Sequence, residues 1–421
     1  MTERTPRRSP AVPGRRRTGS GRRSRLPPVP PIRGRTEDGP VPAAGRRDHQ
    51  RSAADVPSSP VGRTGPLVRA VERLGGQRIR RLPVRPAPHR PLLLRLAAAG
   101  AEIPDNLLSI QTLDPPEHGA VHRVLMDAYR RQDFAALRTK LEDLADELLV
   151  RLSAQPSFDL VESFTAPLSF AAVAALFGVP DADEKNIVAW SEAIVAAMDS
   201  GLTPEAAAPG TRARDKLSEE VSRWLDGEPD TGLLADLRRA EAAQSISRDM
   251  ILNTLRAMLH AGYAPTSRFV AASALALLRT PGAWKELQAT GVTENALKEL
   301  LRHSGPVQAV ARVCTQDVEL GGRLLRGGSD VILLIAAANR DPRQFPQPDE
   351  LDLTRTPNHN LGFGWGAHAC AGASLARLTC AVALGALLRH TPRLRLAGEP
   401  VHWRHATLRG LRTLPVSGGA A

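Results

Sequence analysis

Cysteine, lysine and aromatic residues are all scarce in this chain. Its 421 residues include three cysteines. That is too few for a disulfide scaffold and points to a reducing compartment. Five of the 56 basic residues are lysine, and aromatics make up 4%. No apolar run approaches the ~18 residues of a membrane-spanning helix, so no membrane anchor is expected. Paired arginines near the N-terminus are not followed by an apolar stretch, so no secretory signal is expected either. The expected location is cytoplasmic.

Charge is unevenly distributed. The formal net charge is +12, yet residues 1–90 alone hold 22 arginines against six acids. The same stretch has 15 prolines and no Phe, Tyr or Trp. A segment with so little large apolar surface cannot offset the entropy lost on ordering. Residues 1–65 are therefore read as a basic, Arg/Pro-rich disordered tail, and 66–421 as one folded domain that is mildly acidic from residue 91 onward. The tail has two readings: contact with nucleic acid or anionic lipid, or a solvated (even misassigned) extension. No groove-reading motif accompanies the arginines, which weighs against nucleic acid as a partner.

Leu67, Val68, Val71 and Leu74 share one helical face, and 77–84 reads as a short strand. Beyond Asp114 the spacing predicts helices over 117–132, 133–152, 166–177, 184–198, 247–278, 293–302 and 373–389. Strands are predicted over 318–320 and 331–335. Ser247 is placed to cap the longest helix, and Gly178 and Pro180 stop the helix at 166–177. The expected class is mainly α, a large helical domain with a minor β-rich part and no internal repeat.

The strongest chemical signal is Phe363-Gly364-Trp365-Gly366-Ala367-His368-Ala369-Cys370-Ala371-Gly372, directly before the last long helix. Glycines permit backbone angles and close approaches that side chains block. Cys370 precedes a helix N-terminus, where free N–H groups favour an anion, so its thiol is expected to ionise readily. A thiolate on such a loop suits a soft metal. Cys314 and Cys380 lack these surroundings and read as structural.

This string resembles the haem-ligand signature of the cytochrome P-450 family: Phe, two residues, Gly, three residues, Cys, one residue, Gly. Phe363, Gly366, Cys370 and Gly372 fill it. Other segments are similar to the family's elements in the same order. Glu299 and Arg302 resemble its Glu-x-x-Arg pair, and Arg355 matches the later arginine that joins them. Pro306-Val307 followed by Arg312 resembles the segment whose arginine reaches a haem propionate. Asp114-Pro115-Pro116-Glu117-His118 resembles the entry to a helix whose histidine contacts a propionate. The family's next arginine is here His122, with Arg123 beside it but about 100° around the helix. Asn360 stands where bacterial members carry histidine; it can donate one uncharged hydrogen bond, and His368 or His359 could supply the charge. The resemblance thus implies His118, His122, Arg123, Arg312, Asn360, Phe363, Gly364, His368, Cys370 and Gly372 as cofactor-binding residues.

Ala261-Gly262-Tyr263-Ala264-Pro265-Thr266 resembles the family's oxygen-binding helix, where small residues let the helix approach the porphyrin. The acid and threonine that usually relay protons are replaced by Ala264 and Pro265. Proline leaves the Ala261 carbonyl without its helical partner. Ala261, Gly262 and Thr266 are therefore the expected catalytic positions, with the carbonyl, ordered water and Thr266 moving protons. Between residues 86 and 113 the family fits a strand, a helix and a substrate-covering loop; the space here is short and proline-rich, so 66–113 reads as divergent or shortened.

The resemblance implies a haem-thiolate monooxygenase with haem b on Cys370. It would insert one oxygen atom from O2 into a small organic substrate, plausibly in secondary metabolism. Electrons would come from NAD(P)H through a separate ferredoxin and ferredoxin reductase, since no nucleotide fingerprint occurs in this chain. Two alternatives stay open: a coupling or peroxide-driven haem-thiolate enzyme lacking the usual relay, and a non-catalytic haem protein acting through a partner.

Overall fold

The computed structural model describes Leu92–Leu93 and residues 107–418. The tail at 1–65, the helix expected at 67–74 and the strand expected at 77–84 lie outside the described residues. The first described element is strand β1 (Leu92–Leu93). It pairs antiparallel with β3, Leu92 opposite Cys314, so the proline-rich stretch still contributes to a sheet.

Helices α1 (Glu117–Arg130) and α2 (Phe134–Ser153) follow. Asp133 caps α2 by accepting from the N–H groups of Ala135 and Ala136. After β2 (Phe158–Asp159) comes a π-helical turn, Val161–Thr165, which runs into α3 (Ala166–Phe177). Helix α3 is apolar on all sides and lies in the core, and it ends where Gly178 turns left-handed at φ 86°. Next come α4 (Glu184–Ala197), α5 (Ala207–Asp226) and α6 (Gly232–Ala242).

The spine of the molecule is α7 (Arg248–Arg279), 32 residues long, with Ser247 capping it through the Met250 N–H. It runs as one helix across Pro265. Helices α3, α4, α5 and the later α9 and α11 pack around it. Then follow α8 (Ala283–Thr290) and α9 (Glu294–Ser304). The β part comes next: β3 (Ala309–Cys314), β4 (Val318–Leu320), β5 (Arg323–Leu325) and β6 (Asp330–Leu334). The strand predicted at 331–335 is displaced by one residue: β6 begins at Asp330, and Ile335 already belongs to the short helix α10 (Ile335–Ala338).

Helix α11 (Ala373–His390) precedes β7 (Arg395–Leu396), β8 (Val401–His402), β9 (Leu411–Thr413) and β10 (Pro415–Ser417). The sheets are small: β1-β3-β6, β2-β10-β7, and the pairs β4-β5 and β8-β9. One large apolar cluster fills the helical body, and a second, built on Cys314, Leu320, Val331, Leu333, Ile335 and Ala338, underlies the sheet. Among the described residues no helix is long and apolar enough to cross a membrane.

Candidate haem-thiolate site

The cysteine loop is shaped by glycine. Gly364 and Gly366 sit at φ 68° and 83°, in the left-handed region that side chains disfavour. These turns let the Cys370 N–H reach back 2.8 Å to the carbonyl of Phe363. Gly372 is the N-cap position of α11. The half-buried Phe363 ring lies 5.1 Å from the Arg377 guanidinium, a cation–π contact that ties loop to helix. Gly362 lies so close to α9 that a Cβ there would sit 2.5 Å from Leu301 Cγ.

Cys370 is solvent-accessible on this loop. Desolvation by the surrounding walls pushes its thiol up, against the Gly372 N–H and the charge of Arg377, which pull it down. The expectation of a readily ionised thiol is corrected here: the helix N-terminus helps, but the walls outweigh it. A metal that replaces the proton removes this cost.

Beside the loop lies a cluster of imidazoles. His368 Nε2 is 2.9 Å from Asp114 Oδ1. The His118 ring is 4.6 Å from that of His368 and 5.3 Å from that of His122. His118 is buried, and its pKa falls to about 4 through desolvation and then the neighbouring His368 and His122, with Asp114 opposing. The half-buried Arg312 guanidinium donates to its neighbour's carbonyl, Ala311 O, at 2.7 Å and feels the charge of Asp114. Desolvation disfavours its charge, so it too is short of an anion. Asp114 Oδ2 is buried with no hydrogen-bond partner. One carboxylate thus faces three imidazoles and an arginine. That edge has room for the negative charge of an additional carboxylate.

Two expected members stand apart. Arg123 is exposed and forms no ion pair among the described residues. Asn360 spends both amide protons elsewhere, on Lys298 O at 3.1 Å and Asn358 Oδ1 at 3.0 Å, while its oxygen accepts from the Gly362 N–H. The single donor expected to be spare on Asn360 is therefore already used to hold the loop on α9. His359 is exposed.

Beneath the loop, Glu299 is fully buried between two arginines. Arg302 grips it bidentately at 2.7 and 2.8 Å, and Arg355 Nε donates at 3.0 Å. The arginines spend their remaining donors on main-chain oxygens: Asn339, Pro348 and Glu350 for Arg302, and Pro346, Gln347 and Glu350 for Arg355. Burial alone would push the Glu299 carboxyl up; these donors and the Asp352 N–H outweigh it, and the net direction is down. Asn358, which sequence reasoning did not single out, adds a fifth hydrogen bond at 2.9 Å. Asp114 and Arg377 were also missed as site residues, because neither a lone acid nor a lone arginine carries a spacing signal.

Helix α7 carries a half-exposed stripe, Met258, Ala261, Gly262 and Pro265, with His260, also half-exposed, beside it. The i, i+3, i+4, i+7 spacing puts the stripe residues along one face. Gly262 stands at its edge, where a Cβ would fall 2.9 Å from Val173 Cγ2 of α3. Its smallness is therefore demanded by α3. Thr266 is buried and lies about 100° around from Pro265. Gly262 faces Val173, and Ser267 meets Thr165 at 3.1 Å; Thr266 falls between these two directions, on the α3 side.

A glycine-bound cysteine, a buried Glu–Arg–Arg clamp and a long helix with a small-residue stripe are the features on which the resemblance to haem-thiolate proteins rests. The family profile described as Cytochrome P-450 matches residues 278–391. Cytochrome P-450 CYP107DY1 of Priestia megaterium is 31% identical over 74% of this chain and 77% of its own length. Cytochrome P-450 monooxygenase PikC of Streptomyces venezuelae is 31% identical over 76% of this chain and 78% of its own. The ligand-free CYP164A2 of Mycobacterium smegmatis is similar in structure, with a TM-score of 0.69, 35% identity, and coverage of 73% of this chain and 81% of that one. The chain belongs to the cytochrome P-450 family and is a monooxygenase of the bacterial type, a family that carries haem on a cysteine thiolate.

Proposed function

We propose that Cys370 would hold haem b through its sulfur and that the enzyme inserts one oxygen atom from O2 into a small apolar organic molecule of secondary metabolism. The observation that carries this is one accessible cysteine on a glycine loop. Among the described residues no group of three or more His, Cys, Asp or Glu side chains could hold a bare metal ion. A lone sulfur suits an iron whose other ligands come from a macrocycle. The residues fit that group: an apolar stripe on α7, a thiol on the loop, and an edge rich in imidazole and guanidinium for its two carboxylates. When bound, the haem would supply oxygen activation, helped by electron density from the thiolate.

In this reading His118, His122, His368 and Arg312 hold the propionates, with charge-assisted hydrogen bonds replacing the present imbalance. Electrons arrive from NAD(P)H through a ferredoxin and its reductase, and the enzyme works in the cytoplasm. Proton delivery falls to the Ala261 carbonyl, which has no N–H donor at Pro265 and lies on the exposed stripe. It can hold an ordered water there. Thr266, one step further along the helix, is the hydroxyl that would order this water with the carbonyl.

The cofactor assignment is tested by the optical spectrum of the reduced, carbonyl-bound protein, wild type against Cys370→Ser. The variant is expected to lose the thiolate signature; an unchanged spectrum overturns the assignment. The proton path is tested by Pro265→Ala, which restores the N–H that ties up Ala261 O. Product formed per O2 consumed is expected to drop several-fold, and unchanged coupling refutes the role of the carbonyl. Ala264 and Pro265 also favour a second reading, a peroxide-driven or coupling enzyme. Product with peroxide alone, and none with the redox partners, decides for it.

A further inference from the structure

Helices α5 and α7 run antiparallel, in a register fixed by two contacts. Arg248 of α7 donates to Asp226 of α5 at 2.6 Å, and Arg256 Nη1 donates to the Ser218 hydroxyl at 2.9 Å. The interval from 248 to 256 on one helix equals that from 218 to 226 on the other. One further turn in the same register sets Arg214 of α5 opposite His260 of α7. Arg214 and Ser218 thus share a face of α5, and Arg256 and His260 share the facing side of α7. The Ser218 hydroxyl in turn donates to Arg214 O at 2.9 Å, which holds the two faces together.

The charge between these faces is of one sign. Arg256 is buried and Arg214 half-buried. Among the described residues the Arg214 guanidinium and the His260 ring form no hydrogen bond or ion pair. The acid that acts on the cluster, Asp215, is exposed and lies about 100° around α5 from Arg214. Desolvation and then Arg214 disfavour the charge of Arg256, with Asp215 opposing. Desolvation, then Arg214 and Arg256, bring the His260 pKa down to about 4, and no carboxylate opposes them there. Two guanidiniums therefore crowd one neutral imidazole, a set that an anion would relieve. The location matters as much as the charge. His260 is half-exposed beside the stripe of α7, adjacent to Ala261, and about 7.5 Å along the axis from Pro265. Met258, Ala261 and Pro265 make that stripe apolar. A molecule lying along it would meet carbon for most of its length and cations at one end.

We infer that Arg214 and His260, backed by Arg256, are the anion-recognising end of the substrate site, and that the substrate is an apolar molecule bearing a carboxylate. The carboxylate takes the parallel N–H donors of Arg214, whose planar fork matches it, and one N–H of His260. The apolar body lies along the stripe. This rests on the reading of the stripe as the place where substrate is oxidised, and names the substrate class within it.

The test titrates the full-length, haem-loaded chain with 6-phenylhexanoate, 6-phenylhexan-1-ol and 6-phenylhexylammonium, read by titration calorimetry and by haem absorption. The acid is expected to bind saturably, to shift the haem absorption, and to bind about tenfold more tightly than the alcohol or the amine. Arg214→Gln is expected to weaken the acid about tenfold and to leave the alcohol unchanged. His260→Leu is expected to weaken the acid about threefold. Arg212→Gln, an exposed change on another face of α5, is expected to alter neither. No binding of the acid, equal affinity for acid and alcohol, or an Arg214→Gln effect no larger than that of Arg212→Gln overturns the anion contact. Arg214-dependent binding that leaves the haem absorption unchanged overturns its place in the substrate site. Calorimetry reads the anion contact whichever atom holds the iron, and the carbonyl-bound spectrum reads the sulfur with no acid present. This inference and the reading beneath it therefore fail separately.

Discussion

Removing the Glu299 carboxylate tests how the cysteine loop is supported. Glu299 is fully buried and accepts five hydrogen bonds, two from Arg302 and one each from Arg355, Asn358 and the Asp352 N–H. In Glu299→Ala two buried guanidiniums lose their counter-charge together. Breaking a buried pair from one side costs about 3–5 kcal/mol. A native domain has about 5–15 kcal/mol in total, so the variant forfeits a large share of its stability. The measurement is urea unfolding followed by circular dichroism, with the midpoint compared at constant slope. Glu299→Gln keeps the volume and one acceptor oxygen, so it retains enough structure to be measured if the alanine variant does not fold. Asp146→Asn is the control: Asp146 meets Arg389 at 2.6 Å and His390 at 3.0 Å, but its side chain is 43% exposed. Exposed pairs contribute about 0–1 kcal/mol. If Glu299→Ala lies within about 1 kcal/mol of wild type, or matches Asp146→Asn, the clamp does not hold the loop. The pH dependence has a defined sign. The folded pKa of Glu299 lies below its ordinary 4.5, so its contribution is present above pH 4.5 and disappears as pH falls through the folded value.

Gly362→Ala places a methyl 2.5 Å from Leu301 Cγ, so the loop must lift from α9; haem retention on a sizing column is expected to fall, with about 1–3 kcal/mol of stability lost in urea. Gly262→Ala is expected to destabilise by a similar amount, and Val173→Ala in the same chain to restore much of it; a double-mutant cycle reads the coupling, and additive losses reject the packing role. His303 has a folded pKa of about 4, lowered by burial and then by Arg340, below its ordinary 6.5. Its neutral form stabilises the fold above pH 6.5, and this contribution is lost as pH falls toward 4; the unfolding midpoint of His303→Gln is expected to decline less between pH 7 and 5 than that of wild type.

Where residue type and geometry coincide, the sequence was readable. The helix over 166–177 was placed to the residue because it is uniformly apolar and Gly178 can only turn away. The need for glycine in the cysteine loop was readable in the same way, since the left-handed Gly364 and Gly366 bring the Cys370 N–H to Phe363 O. Helix α5 was not assigned: its buried Leu217, Val221 and Leu225 are isolated among charges, and the helix is held by packing on α4 and α7. Helix α8 starts at a left-handed Gly282 with no side-chain cap, so no start signal precedes it. Asn360 was misread because substitution at one position said nothing of the Lys298 carbonyl and the Asn358 side chain that take its protons. Partners distant in sequence decide what a side chain has left to give.

Helix α7 shows the same limit in its plainest form. Adjacent letters in Ala264-Pro265-Thr266 look interchangeable along the chain, yet each step turns the helix by about 100°. Pro265 reaches the half-exposed stripe, while Thr266 turns toward α3, and Tyr263 lines a cavity with Ser267. What the stripe retains in polar groups is backbone, and only at Pro265 does the sequence remove the donor that would occupy it. Contacts distant along the chain also fix the surroundings of this helix: Asp199, just after α4, accepts from the Ala406 and Thr407 N–H groups at 2.7 and 3.0 Å, and Thr407 O receives the Gln308 N–H ahead of β3.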